Sequence, residues 1–120
     1  MLRSDWAIYR QGALLIEGAD GVNIVNWDFD TPGGNAIFIN NYCQNITIYG
    51  NHIWGAGASV VYVVGSPNAV RSPSFKYREF VKCSKMDTDV GPKTRDFPSF
   101  CTITDSLIHD IGQIENSLQA

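Results

Sequence analysis

Charge is scarce in this chain, cysteine scarcer still, and long apolar runs are missing. Only 18% of the 120 residues are charged, against 44% apolar. That balance excludes a disordered polyelectrolyte and describes a chain able to bury a core. No apolar stretch approaches the roughly 20 residues that a membrane-spanning helix requires. The opening, MLRSDWAIYRQG, has no apolar centre of the kind a secretory leader carries, although a segment cut from a longer secreted chain would look the same. The three cysteines are Cys43, Cys83 and Cys101. An odd number excludes a complete disulfide framework, and the absence of a C-x-x-C pair gives zinc no obvious clasp. Buried free thiols, or one bridge from Cys83 to either of the others, are the two readings. The length suits one compact domain rather than two.

The few charges are unevenly spread. Seven of the nine Lys and Arg lie between Ser66 and Phe100: Arg71, Lys76, Arg78, Lys82, Lys85, Lys93 and Arg95. With four acids in that stretch it carries +3, and the remainder, with two cations against eight acids, carries −6. The chain is an acidic body with a basic insertion. A negative total and the lack of a recognisable binding motif argue against nucleic acid as a partner.

What is present is a repeat. VNIVNWDFDTPGG from Val22, ITIYGNHIWGAGA from Ile46 and CTITDSLIHDIGQ from Cys101 can be laid over one another. In each, Ile24, Ile48 or Ile103 is followed five residues later by Phe29, Ile53 or Ile108, and then after four more by Gly33, Gly57 or Gly112. The first two copies start 24 residues apart. Short apolar strands, AIFI from Ala36 and VVYV from Val60, follow them, and ALLI from Ala13 precedes the series. Several short strands per copy, with turn residues between and no helical period, predict an all-β solenoid. Each copy would be one coil stacked about 4.8 Å from the next, with equivalent strands parallel. Alternation then sends Val22–Ile46–Cys101, Ile24–Ile48–Ile103 and Phe29–Ile53–Ile108 inward as columns.

The same alternation assembles an outer face. His52 falls in register with Asp28 on one side and Leu107 on the other, and Asp30, Trp54 and His109 make the next column. Asp110 follows His109. Asp28, Asp30, His52, His109 and Asp110 are the candidate catalytic groups, since carboxylates and imidazoles one coil apart can exchange protons or hold a divalent ion, calcium among them. Trp54 would stack on a sugar ring. Polar residues also cover the outside of any solenoid, which accounts for the same residues without chemistry. On another outer face Leu15, Phe38 and Tyr62 form an apolar stripe. It is either covered by the N-terminal WAIYR or the insertion, or offers Phe38 and Tyr62 as an aromatic platform for a glycan.

The insertion spans 66–100, within the third coil. Ser72-Pro73 is a helix start, predicting a short helix through Lys82, although FKYREFV also reads as an alternating strand. Arg71, Arg78 and Lys82 can neutralise uronate or sulfate groups on an acidic glycan, or they can dock the loop on its own acidic body. Asn45-Ile46-Thr47 is a glycosylation sequon, meaningful only on a secreted eukaryotic chain. After Gly112 a further strand, NSLQA, begins and the chain stops at Ala120 with no cap. A fragment, or a protomer that stacks on a neighbour through open solenoid ends, is expected.

NIVNWDF, NITIYGNHI and CTITDSLI, with GGNAIFI and GASVVYV after them, resemble the right-handed parallel β-helix proteins of the pectin-lyase-like group. The resemblance covers roughly residues 12–65 and 100–113 and implies a parallel β-helix of three to four coils. It also implies an extracellular, carbohydrate-directed role, with polysaccharide lyases and epimerases among the relatives. The Asn-Thr-Asp, Asp-Asp and Gly-His-Gly set of polygalacturonases is missing, as is the Asp-Pro-His-Asp motif of the epimerases, so no catalytic residue transfers by motif. Two expectations follow: a lyase or epimerase segment acting on an acidic glycan, or a non-catalytic segment for glycan binding, protein binding or stacked assembly.

Overall fold

The computed structural model describes residues 11–71 and 82–114. These residues form an all-β structure of ten strands and two short 3-10 turns. In chain order the strands are β1 (Gly12–Asp20), β2 (Asn23–Val25), β3 (Asp28–Asp30), β4 (Asn35–Gln44), β5 (Thr47–Tyr49), β6 (His52–Trp54), β7 (Val61–Val64), β8 (Pro98–Ser99), β9 (Thr102–Thr104) and β10 (Leu107–His109). They belong to three separate sheets. The first holds β1, β4, β7 and β8, the second β2, β5 and β9, the third β3, β6 and β10. All pairings are parallel. The chain visits the sheets in a fixed cyclic order, so each circuit adds one layer to all three.

Register follows the repeat. Ile24 pairs with Ile48 and Ile48 with Ile103, while Ile53 lies between Phe29 and Ile108. The middle circuit is the best buried: Ile46, Ile53 and Cys43 are inaccessible and Ile48 is 1% exposed. The third circuit has no layer beyond it among the described residues, and there the same columns open to solvent, with Ile103 at 47% and Ile108 at 41%. The first circuit, also at an edge of the sheets, stays covered, with Ile24 at 2% and Phe29 at 8%, so the opening is confined to the third.

The corners explain the spacing. The residue after a strand turns into the left-handed region in three columns: Gly21, Asn45 and Phe100; Asn26, Gly50 and Asp105; Thr31, Gly55 and Asp110. Glycine and asparagine tolerate that conformation best. Corner N–H groups also continue the ladder between circuits, as Gly21 donates to the Gln44 carbonyl and Asn26 to that of Tyr49. Two buried asparagines tie neighbouring circuits from within. Asn51 accepts from the Trp27 N–H at 2.8 Å and donates to the Ile24 carbonyl at 2.9 Å. Asn35 donates to the Gln11 carbonyl and accepts from the Ser59 N–H.

The insertion leaves and rejoins along one strand. β7 pairs with the first part of β4 and β8 with its last two residues. The excursion therefore runs from Gly65 to Phe97 rather than over 66–100, because Pro98 and Ser99 already belong to the sheet and Phe100 to a corner. Its neck is pinned by the Ser66 N–H donating to Asp96 at 2.9 Å and Lys93 to Ala69 at 2.9 Å. A Cβ on Gly65 would stand 2.9 Å from that of Phe97, so glycine permits the close return. The helix or strand expected from Ser72 falls on residues 72–81, outside the described residues. Lys82 is exposed and extended, and precedes a 3-10 turn at Cys83–Lys85.

All three cysteines are free: Cys43 is buried, Cys101 half-buried and Cys83 exposed. The bridge that Cys83 could have made is not formed, and Cys83 is not a buried thiol either, since it lies on the excursion away from the apolar columns.

Candidate functional site: a histidine pair on the outer face of the third sheet

Strands β3, β6 and β10 have three residues each, with the middle one facing the core and the flanking two facing out. Pairing sets Asp28 beside His52 and His52 beside Leu107; Asp30, Trp54 and His109 make the parallel column. Inward anchoring by Phe29 and Ile53, 8% and 0% exposed, holds the register that brings these outward groups together.

The side chains then reach diagonally. His52 Nε2 lies 2.9 Å from His109 Nε2, although the two residues sit in different columns. Asp28 Oδ1 is 3.5 Å from His52 Nδ1, and Asp110 Oδ2 is 2.8 Å from His109 Nδ1. Four groups therefore form one line: Asp28, His52, His109, Asp110. The imidazole centroids are 5.1 Å apart, which is the nitrogen separation plus little more than a ring radius at each end. The two Nε2 atoms thus face one another head-on. The indole of Trp54 lies nearly parallel to both rings, at 19° to His52 and 14° to His109, with centroids 6.4 and 6.3 Å away.

Asp30 does not join the line. Its carboxylate accepts from the Thr31 hydroxyl at 2.9 Å, and Trp54 stands between it and His109 in the column. Four of the five candidate catalytic residues are brought together, and Asp30 is diverted into its own corner.

Comparison with protein-family models, with curated proteins and with solved structures finds no match. The residues themselves must carry any functional reading.

The candidate binding residues elsewhere fare differently. Phe38 stacks in register between Leu15 and Tyr62 as expected but is fully buried, so it presents nothing to a sugar. Its ring packs 5.9 Å from that of half-buried Tyr62, while Leu15 remains 50% exposed. The expected platform is thereby reduced to a half-buried Tyr62 beside a covered Phe38. Arg71 is likewise not a free cation. Its guanidinium donates to Asp87 at 3.1 Å, Asp89 at 3.3 Å, and the Gly91 and Pro92 carbonyls. It organises the excursion internally rather than docking it on the acidic body. The Asp89 N–H, with Arg71 behind it, holds the Asp87 carboxyl below the ordinary aspartate range. Arg78 lies outside the described residues, and Lys82 is exposed. Asn45 of the sequon is exposed at a left-handed corner, and its amide donates to Asp20 at 2.9 Å.

Among the described residues no group of three or more His, Cys, Asp or Glu forms a metal cage. The oxygen shell that calcium requires is thus not assembled by Asp28, Asp30 and Asp110. A cleft of about 280 Å³ between Gln11–Ala13 and Pro32–Asn35 has no ionisable side chain in its lining, so it offers binding surface without acid–base chemistry.

Proposed function

We propose that this chain is a segment of a right-handed parallel β-helix that binds carbohydrate on the outer face of its third sheet. Cyclic passage of the chain through three parallel sheets, with matching register and corner columns, supports the β-helix reading. The strong preference of parallel crossovers for the right hand supports the handedness. The observation that carries the binding reading is the Trp54 indole lying nearly parallel to the rings of both His52 and His109, bordered by Asp28 and Asp110. Indole and imidazole faces suit the C–H surface of a sugar ring, and the carboxylates accept from its hydroxyls.

Charge selects among glycans. The two columns of this face contain Asp28 and Asp30, with Asp110 at the corner after His109, and neither Lys nor Arg. Of the cations expected to hold an acidic glycan, Arg71 is already engaged by two carboxylates, Lys82 is exposed on the excursion, and Arg78 lies outside the described residues. A neutral glycan fits this electrostatic setting better than a polyuronate, which the aspartates would repel. Calorimetric titration of the purified chain against neutral and uronic-acid oligosaccharides tests the reading. Saturable binding of a neutral sugar that is lost in Trp54→Ala supports it; no binding across the panel, or binding unchanged by that substitution, removes it.

A catalytic reading keeps one observation of its own, the 2.9 Å contact between the Nε2 atoms of His52 and His109 within the line from Asp28 to Asp110. Polysaccharide lyase or epimerase action on an acidic glycan would require turnover that falls in both His52→Ala and His109→Ala. Ultraviolet absorbance of an unsaturated product reports the lyase case.

A further inference from the structure

We propose that His52 and His109 together bind one divalent late transition-metal ion, of the Cu²⁺, Ni²⁺ or Zn²⁺ class, through their Nε2 atoms. The inference stands independently of the carbohydrate reading.

A neutral imidazole has one N–H and one lone pair, and a carboxylate at one nitrogen favours the tautomer with the proton there. Both Nδ1 atoms face carboxylate oxygens, of Asp28 and of Asp110. Both Nε2 atoms are thereby presented as lone-pair donors, and they face each other across 2.9 Å. Two lone pairs so close repel unless an electrophile serves both. That electrophile is either a shared proton or a metal ion.

The distances suit the ion. With metal–imidazole bonds of about 2.0–2.1 Å, two nitrogens on one ion stand about 2.9 Å apart at a right angle and about 3.4 Å apart at a tetrahedral angle. The observed separation is at the right-angled end, the geometry of tetragonal copper and nickel. The head-on rings need only swing about χ2, a broad torsion for histidine, for the lone pairs to converge on one point. Both rings have room for this, with side chains 39% and 42% exposed. The strands beneath are fixed by parallel pairing, so the backbone is preorganised.

Ligand chemistry points the same way. Imidazole selects copper, nickel and zinc over calcium and magnesium. Asp110, 2.8 Å from His109 Nδ1, orients that ring as second-shell partners of metal-bound histidines do, and Asp28 stands 3.5 Å from His52 Nδ1. No further described His, Cys, Asp or Glu completes a cage, so water would fill the other positions. Such a site binds reversibly and leaves coordination open to a ligand.

Trp54, nearly parallel to both imidazoles, supplies a reporter. The untagged full chain, carrying Cys83→Ser to remove the exposed thiol, is titrated with Ni²⁺, Cu²⁺ and Zn²⁺ by calorimetry, with tryptophan fluorescence followed in parallel for Cu²⁺. One ion per chain is expected, with saturable quenching by Cu²⁺. His52→Gln and His109→Gln should each weaken binding at least tenfold while far-ultraviolet circular dichroism is unchanged. Asp110→Asn should weaken it roughly tenfold, as loss of a second-shell partner does. Trp54→Phe should reduce the quenching and leave the calorimetric stoichiometry intact. Absence of saturable binding, or affinity unchanged in either histidine variant, would overturn the proposal and leave the pair as holders of a shared proton only.

Discussion

Replacing Asn51 with alanine is the sharpest test of how the layers are joined. Its side chain is 1% exposed and spans two circuits, accepting from Trp27 N–H and donating to Ile24 C=O. Truncation leaves the Trp27 N–H without its partner and removes one of two bonds from the Ile24 carbonyl, which the pairing of β2 with β5 keeps in the ladder. An orphaned N–H costs about 1–3 kcal/mol, so a loss of about 2 kcal/mol is expected. That is a large share of the roughly 5–15 kcal/mol that holds a domain together. With a urea dependence of about 1.5 kcal/mol per molar, the unfolding midpoint should fall by about 1.3 M. Equilibrium urea unfolding, followed by circular dichroism, reads this directly. Asn51→Asp sharpens the test, because a carboxylate still accepts from Trp27 but cannot donate to Ile24 and carries a charge into the corner. At neutral pH it should be at least as damaging as alanine. A midpoint shift below about 0.5 M for Asn51→Ala, at unchanged slope, would refute the bridging role.

Phe100 occupies a left-handed corner with φ 56° and is 78% exposed, so Phe100→Gly should stabilise the chain by roughly 0.5–1 kcal/mol in the same assay. Ile53→Ala should cost about 2–5 kcal/mol, whereas Ile108→Ala in the same column, at 41% exposure, should cost under about 1.5 kcal/mol; equal losses would mean that the third layer is not open. With a limiting alkylating reagent, Cys83 should be modified before Cys101, because Cys83 is exposed whereas burial raises the thiol pKa of Cys101; peptide mass mapping gives the order. The lowered pKa of Asp87 means that its carboxylate supports the excursion above the ordinary aspartate pKa and that this support is lost as pH falls through the lowered value. A carboxyl titration followed by nuclear magnetic resonance should place its midpoint below that of an ordinary aspartate, and Arg71→Ala should move it back up.

Much of the layer arrangement is legible in the chain because a strand has a period of two and a repeat preserves it. Once Ile24, Ile48 and Ile103 are aligned, Asp28, His52 and Trp54 have little choice of face. The same rule places Phe38 between Leu15 and Tyr62. It cannot say whether an outward residue is covered, and Phe38 proves to be buried although its position in the strand points away from the core columns. Nor does alternation reveal Asn51, whose importance comes from the carbonyl and N–H groups that meet at a corner. The recurrence of Asn or Gly at corners hints at left-handed backbone, but only the folded chain shows an asparagine turned inward there.

Sequence alone therefore determined the all-β character, the parallel register and the residues that line the outer face, since these depend on local alternation and on a repeat. Tertiary structure decided which of those residues touch. Register sets His52 opposite Leu107, yet side-chain reach across the twisted sheet brings it to His109 instead. It also committed Arg71 to Asp87 and Asp89, sixteen and eighteen positions away, where charge counting had left it free for a ligand. Contacts of that kind are set by angles and distances between side chains, to which a one-dimensional pattern is blind.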